Sequence, residues 1–165
     1  MHTSLKNKCT NCPDLRRSEA VVIYSECFKP GCPKQISFEL RIVKLVNAVR
    51  KKAGLWPLEI DANLTKAARE KSKDMSDNNY FCHVSPTHGT PQEMIKSFGF
   101  SCRWSGENIA SGFPNPEMTF KEWMKSPGHR FNILKPEYTH TGVGYFYSRQ
   151  GTFKHYWTQE FGELV

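Results

Sequence analysis

Two histidines and a glutamate, His83, Glu107 and His129, stand 24 and 22 residues apart. Each lies in a stretch of turn-forming, aromatic or apolar residues: Phe81-Cys82-His83-Val84-Ser85-Pro86, Gly106-Glu107-Asn108-Ile109-Ala110, and Trp123 through Leu134 with Ser126-Pro127-Gly128-His129-Arg130 at its centre. Imidazole nitrogen and carboxylate oxygen are the usual ligands of a divalent transition metal such as zinc, and three of them leave a position for water or a ligand. The same groups suit proton transfer, with Glu107 and His129 as candidate catalytic residues and a metal-bound water as nucleophile. Spacing this wide means that only a tertiary fold can unite them, and by itself it fits better a buried network in which they hydrogen-bond one another. No Gly-x-Ser-x-Gly elbow accompanies them, and Cys82 diverges from its neighbour His83 along any regular backbone.

Four further cysteines form two close pairs, Cys9-x2-Cys12 and Cys27-x4-Cys32, among Pro13, Pro30, Gly31 and Pro33. Four thiolates so paired can hold a structural zinc, which would staple an amino-terminal segment too short for a core of its own; two disulfides would do the same. Cys82 and Cys102 flank the segment between the first two motifs. They are read either as a bridge that stiffens the site or as two buried thiols.

The elements that must position these residues are legible in part. Ile42, Leu45, Val46, Val49 and Ala53 recur at helical spacing before Gly54, which predicts a helix over about 38–53. Asp61 reads as the N-cap of a second helix over 62–77, with Leu64, Ala67, Ala68 and Met75 on its apolar face. Thr90-Pro91-Gln92-Glu93 is a capping box opening a short helix that Gly99 closes. Asn115-Pro116 starts another, with Phe120, Trp123 and Met124 on its apolar face, and Pro127-Gly128 reads as its stop. Beyond residue 139 the period changes to two: Val143, Tyr145 and Tyr147, then Phe153 through Phe161, predict an antiparallel hairpin about Arg149-Gln150-Gly151. Trp104, Trp123 and Trp157 read as core, Asn108 and Asn132 as side chains that bond loop backbone, and Arg130 as the partner of an acid.

The chain has 165 residues, enough for one ordinary domain, so residues 1–35 read as a Cys-rich appendage and 36–165 as the domain. Mean hydropathy is −0.59 and no apolar run approaches the roughly 20 residues that span a bilayer. The first residues lack the apolar core of a secretory signal, so the chain reads either as intracellular or as trimmed. A formal charge of +7 would favour contact with anionic surfaces such as acidic lipids, cell-wall polymers or nucleic acid, but the cations, Lys51 and Lys52 among them, read better as solvated surface charge. The cations are spread along the chain without interleaved stacking aromatics, which argues against nucleic acid.

The three chemical motifs, with Leu45 through Arg50 before them and Thr141-Gly142-Val143-Gly144-Tyr145 and Tyr156 through Gly162 after, resemble the CAP superfamily (cysteine-rich secretory, antigen 5, pathogenesis-related 1) in its bacterial, SCP-like form. The resemblance spans about residues 36–162. It implies an α+β fold, a three-layer α–β–α sandwich with a mainly antiparallel central sheet. It implies a central cavity of His83, Glu107 and His129 that takes a divalent metal in some members. In eukaryotic members a second acid follows the helix tryptophan by three; here that position is Ser126, and Glu122 is the poor substitute nearby. The family's secreted habit favours disulfides, an extracellular or cell-surface location, and action by binding a lipid, cell-wall or protein ligand. Metal-dependent hydrolysis in the same cavity is the second reading, and an interaction module built on the amino-terminal cysteines the third.

Overall fold

The computed structural model describes residues 32–164. Helix α1 runs Pro33–Lys52, five residues earlier than the apolar spacing alone predicts. The extra turn comes from a start signal upstream: Cys32 is the N-cap, its Sγ accepting from the Gln35 amide at 3.5 Å, and Pro33 takes the first helical position. Gly54 follows at φ +74°, the left-handed conformation that glycine adopts without penalty. Strand β1 is only Glu59–Ile60. Helix α2, Ala62–Asp77, begins where Asp61 accepts from Asn63 N (2.7 Å) and Leu64 N (2.8 Å), as expected. Helix α3, Pro91–Ser97, opens on the expected Thr90/Glu93 capping box.

Strand β2, Cys102–Ser111, and helix α5, Pro127–Leu134, are, with two-residue β1, the elements that sequence patterning missed. Residues 107–111 of β2 are all buried, so no period-two alternation marks that half of the strand. Helix α4, Pro116–Lys125, ends where expected, but Pro127 also occupies the first position of α5, so the residue read as a stop is a stop and a start. Strands β3, His140–Tyr147, and β4, His155–Leu164, form the expected hairpin.

The sheet order is β1-β3-β4-β2. It is a mixed sheet, not the mainly antiparallel one expected: β1 lies parallel to β3, while β3·β4 and β4·β2 are antiparallel. The parallel pair follows from connectivity, since the chain leaves β1 and returns to β3 only after α2 to α5 and β2. The α+β class holds. Against one face, α1, α4 and α5 bury Ile42, Val46, Trp123, Ile133, Tyr138, Val143, Tyr145, Trp157 and Phe161. On the other, α2 lies so close that a Cβ at Gly142 or Gly144 would overlap the backbone of Leu64–Thr65 or Ala68–Arg69. Thr158 and Ser72 bond across that contact at 2.9 Å.

Both sheet edges are covered. Beyond two-residue β1, the Tyr145 amide on β3 donates to buried Glu39 of α1 (3.1 Å), which also takes a forked pair of bonds from Arg69 of α2. On β2, alternate outward carbonyls are taken by side chains: Ser105 by Tyr138 Oη (2.8 Å), Glu107 by Asn132 Nδ2 (3.2 Å) and Ile109 by Trp123 Nε1 (3.1 Å). Because the α2–β3 contact is backbone on backbone, Gly144→Ala should cost at least about 3 kcal/mol of unfolding free energy in urea titration, whereas Gly112→Ala, whose added Cβ meets nothing within 4 Å, should cost less despite its positive φ.

Candidate functional site

The site forms where β2, α5 and the loop after α2 meet. Glu107 points from β2 toward the α2 face, and its Oε1 accepts from His83 Nδ1 at 2.6 Å. The Glu107 side chain is buried while His83 keeps 41% of its side-chain exposure. In the neutral imidazole this contact sets the proton on Nδ1 and leaves the Nε2 lone pair available. His129 comes from the first turn of α5. Burial, and then the charge of nearby His83, hold it below the usual histidine range, so it stands neutral at physiological pH. The fold thus brings all three expected residues to one place.

Two asparagines hold α5 against β2. Asn108 Nδ2 donates to the His129 carbonyl (3.1 Å), while Asn132 Nδ2 donates to the Glu107 carbonyl and to Asn108 Oδ1 (3.0 Å). Both asparagines were expected to bond loop backbone; they bond the backbone of the two site residues themselves. The loop carrying His83 is organised by Asp74 of α2. Its carboxylate accepts from Ser85 Oγ (2.7 Å), Thr87 Oγ1 (2.5 Å), Asn78 Nδ2 (2.6 Å) and Tyr80 Oη. Burial pushes the Asp74 pKa up, but these four donors outweigh it and leave it below the ordinary aspartate range. Lys71, also buried, donates to the His83 carbonyl (2.7 Å) and to Tyr80 Oη (3.1 Å).

The acid that sequence reasoning missed is Glu160. It sits on β4 directly opposite Glu107 and is 1% exposed. As carboxylates, neither Glu160 oxygen nor Glu107 Oε2 has a donor. Desolvation, and then the charge of and hydrogen bond to Glu107, push the Glu160 pKa well above the glutamate range, with Lys71 opposing. Two buried carboxyls this close cannot both ionise without a large penalty, and Glu160 is the one held toward its protonated form. Its only sequence signal was the inward register of the hairpin. Glu122, the weak fourth candidate, pairs instead with Lys125 on α4 at 2.5 Å, and Arg130 donates to the Met124 carbonyl at 3.3 Å, not to an acid.

Cys82 is disulfide-bonded and Cys102 is a free thiol, so neither reading, a bridge between the two or a pair of free thiols, describes them. Cys9, Cys12 and Cys27 lie outside the described residues. Among the described residues no three His, Cys, Asp or Glu side chains form a ready-made metal shell. Glu107 is turned to His83 Nδ1, the arrangement in which a carboxylate orients an imidazole from behind.

A mixed sheet with α2 on one face and α1, α4 and α5 on the other defines an SCP-type α–β–α domain. The chain belongs to the CAP, or Cysteine-rich secretory protein, family, which it matches over residues 43–161. It is 53% identical over 132 residues to YkwD of Bacillus subtilis (strain 168), covering 79% of this chain and 49% of that one. It is similar in structure to an extracellular protein containing an SCP domain from Bacillus anthracis (TM-score 0.74, 33% identity, 86% of this chain and 46% of that chain). An outer surface protein of Borrelia burgdorferi shares the fold (TM-score 0.70, 23% identity, 76% and 92% coverage). The chain spans about half the length of the curated relative. Among the described residues no helix is long and apolar enough to cross a membrane.

The two perturbed carboxyls have opposite pH signatures. Asp74, held low, stabilises the fold above its ordinary pKa, and that stability is lost as pH falls through the depressed folded value; Asp74→Asn should flatten this acid limb in urea midpoints measured from pH 6 to 2. Glu160, held high, contributes stability that is full below the ordinary glutamate range and is lost as pH rises from there through the raised folded value. Glu160→Gln keeps a donor for Glu107 and should remove that decline, leaving the variant the more stable protein at pH 8.

Proposed function

We propose that this domain is an extracellular binding module whose cavity takes a divalent metal, zinc foremost, through His83 and His129 with Glu107 supporting, and that it acts by holding a lipid, cell-wall or protein ligand, not by turnover. The observation that carries this reading is the His83–Glu107 contact: a buried carboxylate fixes the ring through Nδ1 while the other side of the imidazole faces solvent. The neutral state of His129 supports a second nitrogen donor. A bound metal would supply a Lewis-acidic position for an oxygen or nitrogen of the ligand. A groove of about 880 Å³ between α1 and α4, lined by Ile36, Phe38, Leu40, Pro114 and Pro116 together with Lys34, Arg41, Lys44 and Glu117, offers apolar wall for a lipid chain and charge for its headgroup. The disulfide at Cys82 and the extracellular and outer-surface relatives support an exported location.

Calorimetric titration of metal-free protein with zinc is the test. His83→Ala and His129→Ala should each abolish measurable binding with the fold retained, and Glu107→Gln should weaken it about 10- to 100-fold. Unchanged affinity in both histidine variants would remove the cavity from metal binding. The same imidazole–carboxylate pair is also the geometry of a general base, and metal-dependent turnover of a peptide or ester, lost in Glu107→Gln, would favour the hydrolytic reading.

A further inference from the structure

Trp104 was expected in the core, but it is 47% exposed, whereas Trp123 and Trp157 are fully buried as expected. It is one of three aromatic residues among the exposed large hydrophobics of the described residues; the others are Trp56 (88%) and Phe131 (65%). The three are 27 residues or more apart in sequence and belong to different elements, yet one structural knot gathers their segments. Arg50, buried at the end of α1, donates from Nε to the Trp56 carbonyl (2.9 Å), from Nη1 to the Ile133 (3.0 Å) and Lys135 (2.9 Å) carbonyls, and from Nη2 to the Tyr138 carbonyl (3.0 Å). The loop after α1, the end of α5 and the turn into β3 are thereby pinned together. From that turn Lys135 reaches across to β2, its Nζ 4.6 Å from the Trp104 ring centre, 4.8 Å from Tyr138 and 6.0 Å from Phe131.

The segments that carry the rings have one dominant sign of charge. Lys51 and Lys52 close the helix that leads to Trp56; Arg103 adjoins Trp104; Arg130 adjoins Phe131; Lys135 lies among the rings. All but Lys135 are exposed. In the same segments the exposed acids are Glu59 and Glu137. Rigidly held aromatic rings fringed by lysine and arginine are the chemistry of an interfacial anchor, in which the rings enter the headgroup layer and the cations meet its negative charge. Trp56, exposed to 88%, stands clear of the surface, as a ring that enters a headgroup layer must. Lys135 already occupies a face of Trp104, the face on which a sugar ring would have to stack.

We propose that Trp56, Trp104 and Phe131, with Lys51, Lys52, Arg103, Arg130 and Lys135, form a docking surface for an anionic phospholipid bilayer. This surface is separate from the α1–α4 groove, and none of its side chains is a member of the histidine–glutamate cavity. It names a partner for the binding reading above and rests on that reading for the exported location only.

Full-length protein should be sedimented with extruded vesicles of phosphatidylglycerol and phosphatidylcholine in equal parts, and with phosphatidylcholine alone, at two salt concentrations. Wild type should partition onto the anionic vesicles at least tenfold more strongly than onto the neutral ones, with a blue shift of tryptophan emission, and should be released by added salt. Trp56→Ser with Phe131→Ser should lose at least tenfold in partitioning with unchanged near-ultraviolet circular dichroism; Lys51→Glu with Lys52→Glu should lose the anionic preference. Wild type stripped of metal with a chelator should bind vesicles as the untreated protein does, so failure of the metal reading leaves this result untouched. Absence of partitioning at millimolar lipid, or equal partitioning of the Trp56/Phe131 variant, overturns the proposal. Concentration-dependent self-association abolished by that double variant, without vesicle binding, would reassign the surface to a second copy of the chain.

Discussion

The reciprocal clasp between Asn108 and Asn132 is the interaction on which the site depends. Helix α5 is two turns long and its N-cap Ser126 makes no side-chain capping bond, so it has little intrinsic reason to form or to stay in place. Its position comes from Asn132 reaching the Glu107 carbonyl and Asn108 reaching the His129 carbonyl, with the two amides joined to each other. The same bonds occupy an outward carbonyl of edge strand β2. One pair of side chains therefore closes a sheet edge, anchors a marginal helix and sets the backbones of Glu107 and His129 side by side, which a longer self-sufficient helix packed on apolar contacts alone would leave free to slide.

Around that clasp the molecule tolerates an arrangement that costs stability. Two glutamates face each other across β2 and β4 in a layer sealed by α2, where an unprotonated pair would be severely penalised. The penalty is limited by a retained proton on Glu160, by His83 on the far oxygen of Glu107, and by the Lys71 ammonium in the same layer. Gly142 and Gly144 allow α2 to approach closely enough to bring Lys71 and Asp74 to this layer. Asp74 then collects four donors from the loop that carries His83, so the exposed imidazole is carried by a loop fixed from beneath.

Local signals were legible where one short stretch contains both cause and effect. The Asp61 cap, the Thr90–Glu93 box, the Asn115 cap and the alternation of the last hairpin were each readable because the partners lie within a few residues. His83, Glu107 and His129 were legible as candidates because their motifs resemble a family, not because spacing implied a site. Strand β2 was illegible because its second half is buried on both faces and shows no alternation, and α5 because a proline that ends one helix can begin the next. Glu160 was hidden for a different reason: its meaning depends on a partner 53 residues away across a strand pairing, and only the register makes them neighbours. Trp104 was misread because composition places tryptophan inside, while the register shift between Cys102 and Ser105 marks a stretch of β2 whose start turns outward.

Arg50 belongs to the same logic as the asparagines and Asp74. Each is a polar side chain at least half-buried that directs its hydrogen bonds across elements or into a loop: Arg50 and the asparagines join segments far apart in sequence, and Asp74 fixes the loop that follows its own helix. Together they rigidify one rim of the domain: the loop after α1, the His83 loop, β2, α5 and the turn into β3. The opposite rim, where α1 meets α4 across the apolar groove, is bridged at its surface by the exposed Arg41–Glu117 pair, a contact worth well under about 1 kcal/mol in water. Buried polar hubs are a costly way to hold loops if stability alone is at stake, since apolar packing would do so with less desolvation. Their concentration on the rim that carries His83, His129 and the exposed rings is explained if those groups must be presented in fixed positions to something outside the chain, where each loop ordered in advance is one that binding need not order.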